Sequence, residues 1–383
     1  MKRIYVVAVL YLVVLSAGCT SNKNKTTGSK SAETVVETQE PVVEKATWQS
    51  LEEGMVTVDE KDFGAVIELT GSQLVLDTEP FKVSEPEMLV KDDYFLMQNL
   101  NVSGENPGMY MLFRLPDFQY ITSFGIRGNG PNEFLYPHIF PTGKEDALSY
   151  VYESSRKELY EANFAGELTS VGVEFEKVPK AVRSDIYGFA TDDDTYYYTE
   201  IVPRGRAFFR AKMVGDSLQT EQLYNISFSE KHKSWSAYIG DFLAHPEGKR
   251  LVYAYKYFKR ILFYDTETGV TKAVDFNKEG VVAANDIVTL GPDNVTFYWG
   301  ASCSADYIYL TYSGRTPIQV TKENSEGDGY IFVEQFDWHG NPVRKYKLDH
   351  WGPTVVDEKN QRIYQLSYLY DDPLFVYKLT IDN

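Results

Sequence analysis

Cysteine is nearly absent. The chain of 383 residues has two, Cys19 and Cys303, so a disulfide-stapled fold is not open to it. Histidine is scarce: His138, His232, His245, His339 and His350 are the whole set, and no two stand at a His-x-x-x-His spacing that would place metal ligands on one element. There is no dense run of Lys and Arg, and the formal net charge is −17. So acidic a chain repels phosphate backbones at long range, which argues against nucleic acid as a partner. The uncharged run Ile4–Leu15 holds 12 residues, too few for a bilayer span of about 20. No Gly-x-Ser-x-Gly elbow and no Ser-x-Asp-x-Gly-x-x-Trp box occurs, which removes two easily read hydrolase signatures.

Aromatic residues are abundant instead. The chain has 29 Tyr and 22 Phe, with 27 Gly and 16 Pro as punctuation. Aromatics favour strands, and frequent Gly and Pro favour short ones, so the composition predicts an all-β protein. At 383 residues the chain can bury a large core.

The N-terminus reads as a processing and targeting segment. Lys2 and Arg3 precede the apolar run, and Leu15-Ser16-Ala17-Gly18-Cys19 follows it. This resembles a bacterial lipobox, although Leu15 sits one place further from the Cys than in the commonest pattern. The resemblance implies a signal peptide over residues 1–18 and a lipid on Cys19, hence anchoring to the outer membrane. Cleavage by an ordinary signal peptidase, giving a free secreted chain, is the alternative. Residues 20–47 hold no aromatic residue and many Ser, Thr, Lys and Glu, a composition that reads as a flexible tether. The folded domain is expected over 48–383. Thr, Ser, Asn and Lys after Cys19 depart from the acidic cluster that marks export to the outer face in lipoproteins of gut anaerobes, which favours a periplasm-facing protein. With Cys19 lipidated, Cys303 has no disulfide partner. It reads as a small buried apolar residue rather than a catalytic thiol.

The rest of the chain repeats in layout. A polar turn, a Tyr-rich strand, a second strand, a tight turn and a third strand recur, with the first dense strand starting near Tyr94, Leu148, Tyr196, Leu251, Tyr307 and Ile363. The intervals of 54, 48, 55, 56 and 56 residues lie slightly above the roughly 40–50 of a four-stranded propeller blade. The pattern predicts six blades, or seven if residues 277 to 300 contribute to another. Asp-to-Gly segments in "YDTETGV" and "FDWHGNP" suit hairpin turns. Ring closure requires that no edge be left open, so residues 63 to 76 are expected to pair with the C-terminal blade.

One stretch breaks this rhythm. In "FGIRGNGPNEFLYP", residues 124 to 137, four of the seven residues from Gly125 to Pro131 are Gly or Pro. Gly125, Gly128, Gly130, Pro131, Phe134 and Pro137 match the spacing G-x-x-G-x-G-P-x-E-F-x-x-P. This resembles the inter-blade segment of NHL-type propellers, and is most similar to the TolB-like six-bladed lipoproteins of Bacteroidota. The resemblance implies that the glycines carry the backbone from the outer edge of one blade to the inner strand of the next through positive φ, with the prolines stiffening the crossing. Asn132 stands where the family often has Gly. A plain hairpin loop is the alternative. A phosphate loop is disfavoured, because the stretch lacks the Gly-Lys-Ser/Thr ending.

Candidate site residues are few. Arg127, Asn129, Asn132 and His138 are expected near one face, as a ligand face. His339 is expected exposed in a turn. Asp192–Asp194 and Glu326–Gly329 could hold Ca²⁺ through hard oxygens, though polar turn tips have the same composition, and no metal or other cofactor is assigned. Trp235, Trp299, Trp338 and Trp351 could stack on sugar rings, although packing accounts for most strand aromatics. Two functions remain: a non-catalytic envelope module that binds protein, peptide or glycan, and a propeller hydrolase or lyase, with or without Ca²⁺, acting on glycans or lactones.

Overall fold

Strands whose residues are apolar on both faces need cover on both sides, and stacking sheets around a ring supplies it. The computed structural model describes residues 50–76, 87–98, 108–130, 133–174, 187–190, 195–215, 217–229, 234–276 and 291–379. The signal, the tether, Cys19, Pro131, Asn132, Asp192–Asp194 and His232 lie outside them. Six sheets follow in chain order. Their innermost strands are Met88–Lys91, Pro137–Phe140, Tyr187–Ala190, Gly240–Ala244, Thr296–Cys303 and Thr354–Asp357. Each touches the innermost strand of the sheet before and the sheet after it, and the last touches the first. The protein is therefore a closed six-bladed propeller, not a seven-bladed one; Thr296–Cys303 is the inner strand of blade five.

The Tyr-rich strands singled out in the sequence are the second strands of the blades, not the first. Ser149–Glu153 and Arg250–Tyr255 are buried at every position, whereas the outer strand Ser217–Asn225 is almost wholly half-buried or exposed. Tyrosines make up most of the largest fully buried side chains. Their rings fill the gaps between blades, and their hydroxyls clip neighbouring backbone: Tyr110 donates to the Pro137 carbonyl at 3.1 Å, Tyr253 to Tyr238 at 2.6 Å and Tyr255 to Ile226 at 2.5 Å. A phenol buries a large ring and still reaches a polar partner.

The hairpin between the third and fourth strands recurs with the same chemistry. Asp265 accepts from the amides of Glu267 and Thr268, Asp337 from His339 and Asn341, and Asn163 from Ala165 and Glu167. Helix Pro317–Glu326 interrupts blade five. Thr316 and Gln319 form its capping box, Pro317 stands in its first turn, and Gly327 closes it with φ 84°, so Glu326–Gly329 is a helix end.

The N-terminal segment closes the ring. Ser72–Gln73 pairs antiparallel with Phe375–Val376 as the fourth strand of blade six. Upstream, Ile67–Leu69 adds a parallel strand to the outer edge of blade five, and Gly54–Thr57 does the same for blade four. The expected pairing of residues 63 to 76 with the last blade thus holds for its end, while Ile67–Leu69 joins the blade before. Between the two parallel strands, the turn Glu60–Phe63 inserts Phe63 against Phe276 and Phe336, with ring centroids 5.8 and 5.2 Å away. Glu60 pairs with Lys259 and Lys345, and both lysines also pair with the fully buried Glu334 at 3.1 and 2.8 Å. The Lys259 ammonium lies 4.1 Å from the Tyr312 ring centroid. Desolvation, opposed by Glu334 and reinforced by Lys345, lowers its pKa to about 8.

Candidate functional site at the channel mouth

The Gly-rich stretch is a crossing, as its spacing implies. Strand Gln119–Arg127 ends blade one, and Glu133–Phe134 runs parallel beside it. Gly125 has φ 75°. Gly128 and Gly130 are needed for a different reason than the expected positive φ, which neither shows. A Cβ on Gly128 would lie 2.0 Å from Glu133 Oε2, and one on Gly130 would lie 2.9 Å from Glu133 Cδ. The Glu133 carboxylate occupies that space and accepts from the Gly130 amide at 2.7 Å. Phe134 is fully buried against Tyr160. The fully buried Glu153 takes the amides of Leu135, Tyr136 and Ser155, holding the chain as it turns into blade two.

Arg127 and Asn129 are exposed on this crossing. His138 is the second residue of the inner strand Pro137–Phe140, half-buried, with Nδ1 2.5 Å from Glu87 Oε1. The other Glu87 oxygen accepts from the Ile139 amide, so the pair ties blade one to blade two. His339 is half-buried beside Arg250, not exposed in a free turn, and burial lowers its pKa, with Arg250 adding to the effect. Trp338 and Trp351 are buried, Trp299 stacks on Trp351 at 4.9 Å, and Trp235 lies under Arg206. These rings pack against protein.

A concavity lies at the other end of the inner strands. A cavity of about 700 Å³ opens where the strands Met88–Lys91, Pro137–Phe140, Gly240–Ala244, Thr296–Cys303 and Thr354–Asp357 finish and turn outward. Leu89, Val90, Val356 and Tyr309 give it apolar walls. Its rim carries the recurring turns Lys91-Asp92, Lys144-Glu145 and Asp357-Glu358-Lys359. The sequence had signalled them as the polar turn that opens each repeat, but composition alone did not place them around one opening.

Each lysine of the rim is committed. Lys91 Nζ donates to the carbonyls of Thr142 (3.2 Å), Ala147 (2.5 Å) and Lys144, and burial lowers its pKa. Lys144 pairs with Glu161. Burial opposes its charge, but the hydrogen bond to Glu161 prevails and its pKa is raised. Lys359 bonds Asp93 at 2.7 Å, which raises its pKa. Asp357 accepts from Asn360 and Tyr364.

Neither nucleophile in the cavity wall is activated. Cys303 gives its S–H to the Ala244 carbonyl at 3.5 Å, and burial pushes its thiol up to about 12. This suits the apolar role expected of it. Ser304 Oγ accepts the amides of Asp306 and Tyr307. His245, between the wall residues Ala244 and Pro246, has both ring nitrogens engaged: Nδ1 accepts from the Glu247 amide at 3.0 Å and Nε2–H donates to Ala305 O at 3.1 Å. Burial lowers its pKa, so the imidazole is neutral and its acceptor nitrogen is occupied. Among the described residues, no group of three or more His, Cys, Asp or Glu is arranged to hold a metal ion.

No curated protein matches the chain. Solved structures do. A member of the DUF4221 family from Bacteroides vulgatus superposes with a TM-score of 0.52 at 13% identity, over 83% of this chain and 98% of its own. A putative exported protein from Bacteroides fragilis gives 0.51 at 9%, over 86% and 98%. At such identities the likeness shows the fold. The family described as TolB-like 6-blade propeller-like matches residues 68–359, from the parallel strand on blade five to the rim turn of blade six. The chain belongs to the TolB-like six-bladed propellers.

Proposed function

We propose that the protein is a non-catalytic binding or scaffold module of the cell envelope, tethered through lipid on Cys19 to the periplasmic side of the outer membrane, with a protein, peptide or glycan held at the mouth of its channel. The observation behind this reading is the cavity of about 700 Å³ with apolar walls and a charged rim, within the usual size range of ligand sites. Among the described residues no basic side chain is hydrogen-bonded to its potential nucleophiles, Cys303 and Ser304, and His245 is engaged at both nitrogens. Shape and polarity therefore suit recognition better than turnover. The net charge of −17 disfavours nucleic acid.

Thermal melting of residues 48–383 with a panel of peptides and glycans tests it. A ligand at 100 times its Kd adds about 2.7 kcal/mol of stability, and a bulky residue at Val90 should abolish the shift. A loss of stability with EDTA, restored by Ca²⁺, would replace this reading with a metal-supported enzyme. The lipid is tested by mass spectrometry of the mature chain: Cys19→Ala should abolish the added acyl mass.

A further inference from the structure

We propose that the occupant of the channel mouth is a cationic peptide segment, carrying Lys or Arg side chains. The inference rests on the reading of the mouth as the binding site and names what the mouth selects.

Lys91, Lys144 and Lys359 are each spent on a carbonyl or carboxylate of the protein itself. Asp92 and Glu145 are exposed at the opening; Lys91 feels both charges and Lys359 that of Asp92, but among the described residues neither carboxylate is closed into a hydrogen bond or ion pair. Among the described residues an incoming anion meets no ammonium free of such a bond, while an incoming cation meets two carboxylates not closed into an ion pair. The net charge of −17 extends this preference outward and speeds the approach of a basic partner.

The interior fixes the kind of cation. Leu89, Val90 and Val356 lie behind the rim. Lys and Arg have that composition themselves, an aliphatic stem that buries and a charged head that stays at the wet edge. A small inorganic ion would leave the apolar walls unused, and about 700 Å³ holds more than one side chain. A short basic stretch of polypeptide fills both parts.

The test uses the mature chain and three synthetic octapeptides in which alanine alternates with lysine, glutamine or glutamate. Calorimetric titration at low and moderate salt is run on the wild type, on the exposed rim variant Asp92→Asn/Glu145→Gln, and on Val90→Trp. The lysine peptide should bind about tenfold or more tighter than the glutamine peptide and weaken as salt rises. It should lose about tenfold on the rim variant and be blocked by V90W. Equal or tighter binding of the glutamine or glutamate peptide, blocked by V90W, would overturn the cationic preference while leaving the mouth as a binding site. Lysine-peptide binding indifferent to both variants would be diffuse attraction to an acidic surface and would overturn the proposal. Failure of all three peptides would overturn it as well. A glycan that still shifts melting of the wild type but not of V90W would then preserve the broader reading.

Discussion

Lys345 Nζ lies 2.8 Å from Glu60 Oε2 and 2.8 Å from Glu334 Oε1, so one ammonium joins the N-terminal strap to the buried side of blade five. The contact is nearly enclosed, with Lys345 only 6% exposed and Glu334 not at all. Lys345→Met would leave Glu334 with Lys259 and the Tyr298 hydroxyl, which donates to its other oxygen at 3.0 Å. Removing one partner of a buried pair costs about 3–5 kcal/mol, and the second lysine should keep the loss at the lower end. Glu60→Gln touches the exposed partner and should cost under about 1 kcal/mol. Urea unfolding of the two variants measures the difference; equal losses would mean that the knot is not organised around Glu334.

The strap as a whole should matter more than the chain before it. A chain starting at Ser50 should melt like the longer one. A chain starting after Leu76 loses the partner of Phe375–Val376, the two parallel edge strands and the buried Phe63. Loss of the Phe63 ring alone is worth about 3–5 kcal/mol. Differential scanning calorimetry should show a large drop in Tm for the second truncation and none for the first.

Glu133 and Gly128 form a testable pair. Gly128→Ala drives a methyl into Glu133 Oε2, so the flexible carboxylate must swing away and give up its bond to the Gly130 amide, which should cost about 1 kcal/mol. Glu133→Gly removes the obstacle together with the hydrogen bond to the Gly130 amide. If space is the reason for Gly128, adding G128A to E133G should cost almost nothing further. A double-mutant cycle reads this coupling directly. Additive losses would mean that the space taken by Glu133 is not the reason for Gly128.

Asp241, on the inner strand of blade four, predicts a pH dependence. Burial raises its pKa from 3.8 to about 6, opposed by Lys256 and by a hydrogen bond from the Gly300 backbone. Between those values the folded state holds a proton that the unfolded state has released. Asp241 therefore lowers stability as pH rises through this window, and the penalty is complete above about pH 6. Asp241→Asn should gain about 1–3 kcal/mol over wild type at pH 7.5 and almost nothing near pH 3.5. Denaturant titrations at the two pH values check this, and a gain of equal size at both would refute it.

The Cys303 thiol, pushed up to about 12 and turned to the Ala244 carbonyl, should resist iodoacetamide at pH 8 while the protein is folded and react once urea unfolds it. Fast labelling of the native protein, followed by peptide mass mapping, would show an accessible thiolate and reopen a chemical role for it.

Much of the architecture was legible in the residues. Tyr-dense segments at nearly constant spacing, Asp-to-Gly hairpins and one Gly-rich crossing sufficed for six blades, because blade stacking imposes burial on both faces of the middle strands. The inner strands were harder. "GDFLA" and "TVVD" are short and carry no internal signal of which blade they begin, so the dense second strands stood in for them. Helix Pro317–Glu326 has readable start and stop residues, Thr316, Pro317, Gln319 and Gly327, but only Val320 of it is buried, so no apolar stripe marks it between the strands. The mouth was hidden for another reason. Lys91, Lys144 and Lys359 are separated by whole blades in sequence, and only ring closure brings their turns to one opening. Their ionic partners are likewise remote in sequence, Glu161 lying 17 residues from Lys144 and Asp93 266 from Lys359.

The strap has a mechanical side. Tension on the chain ahead of Gly54 reaches the ladder of Gly54–Thr57 on Lys272–Asp275 first, then the Glu60–Phe63 insert, then Ile67–Leu69 on Tyr346–Leu348, and only last Ser72–Gln73 on blade six. Three fasteners must slip in series before a pull can unlatch the ring. A protein held by its leading end could in this way absorb jolts in sacrificial bonds along its rim and re-zip them, while the wheel inside stays shut.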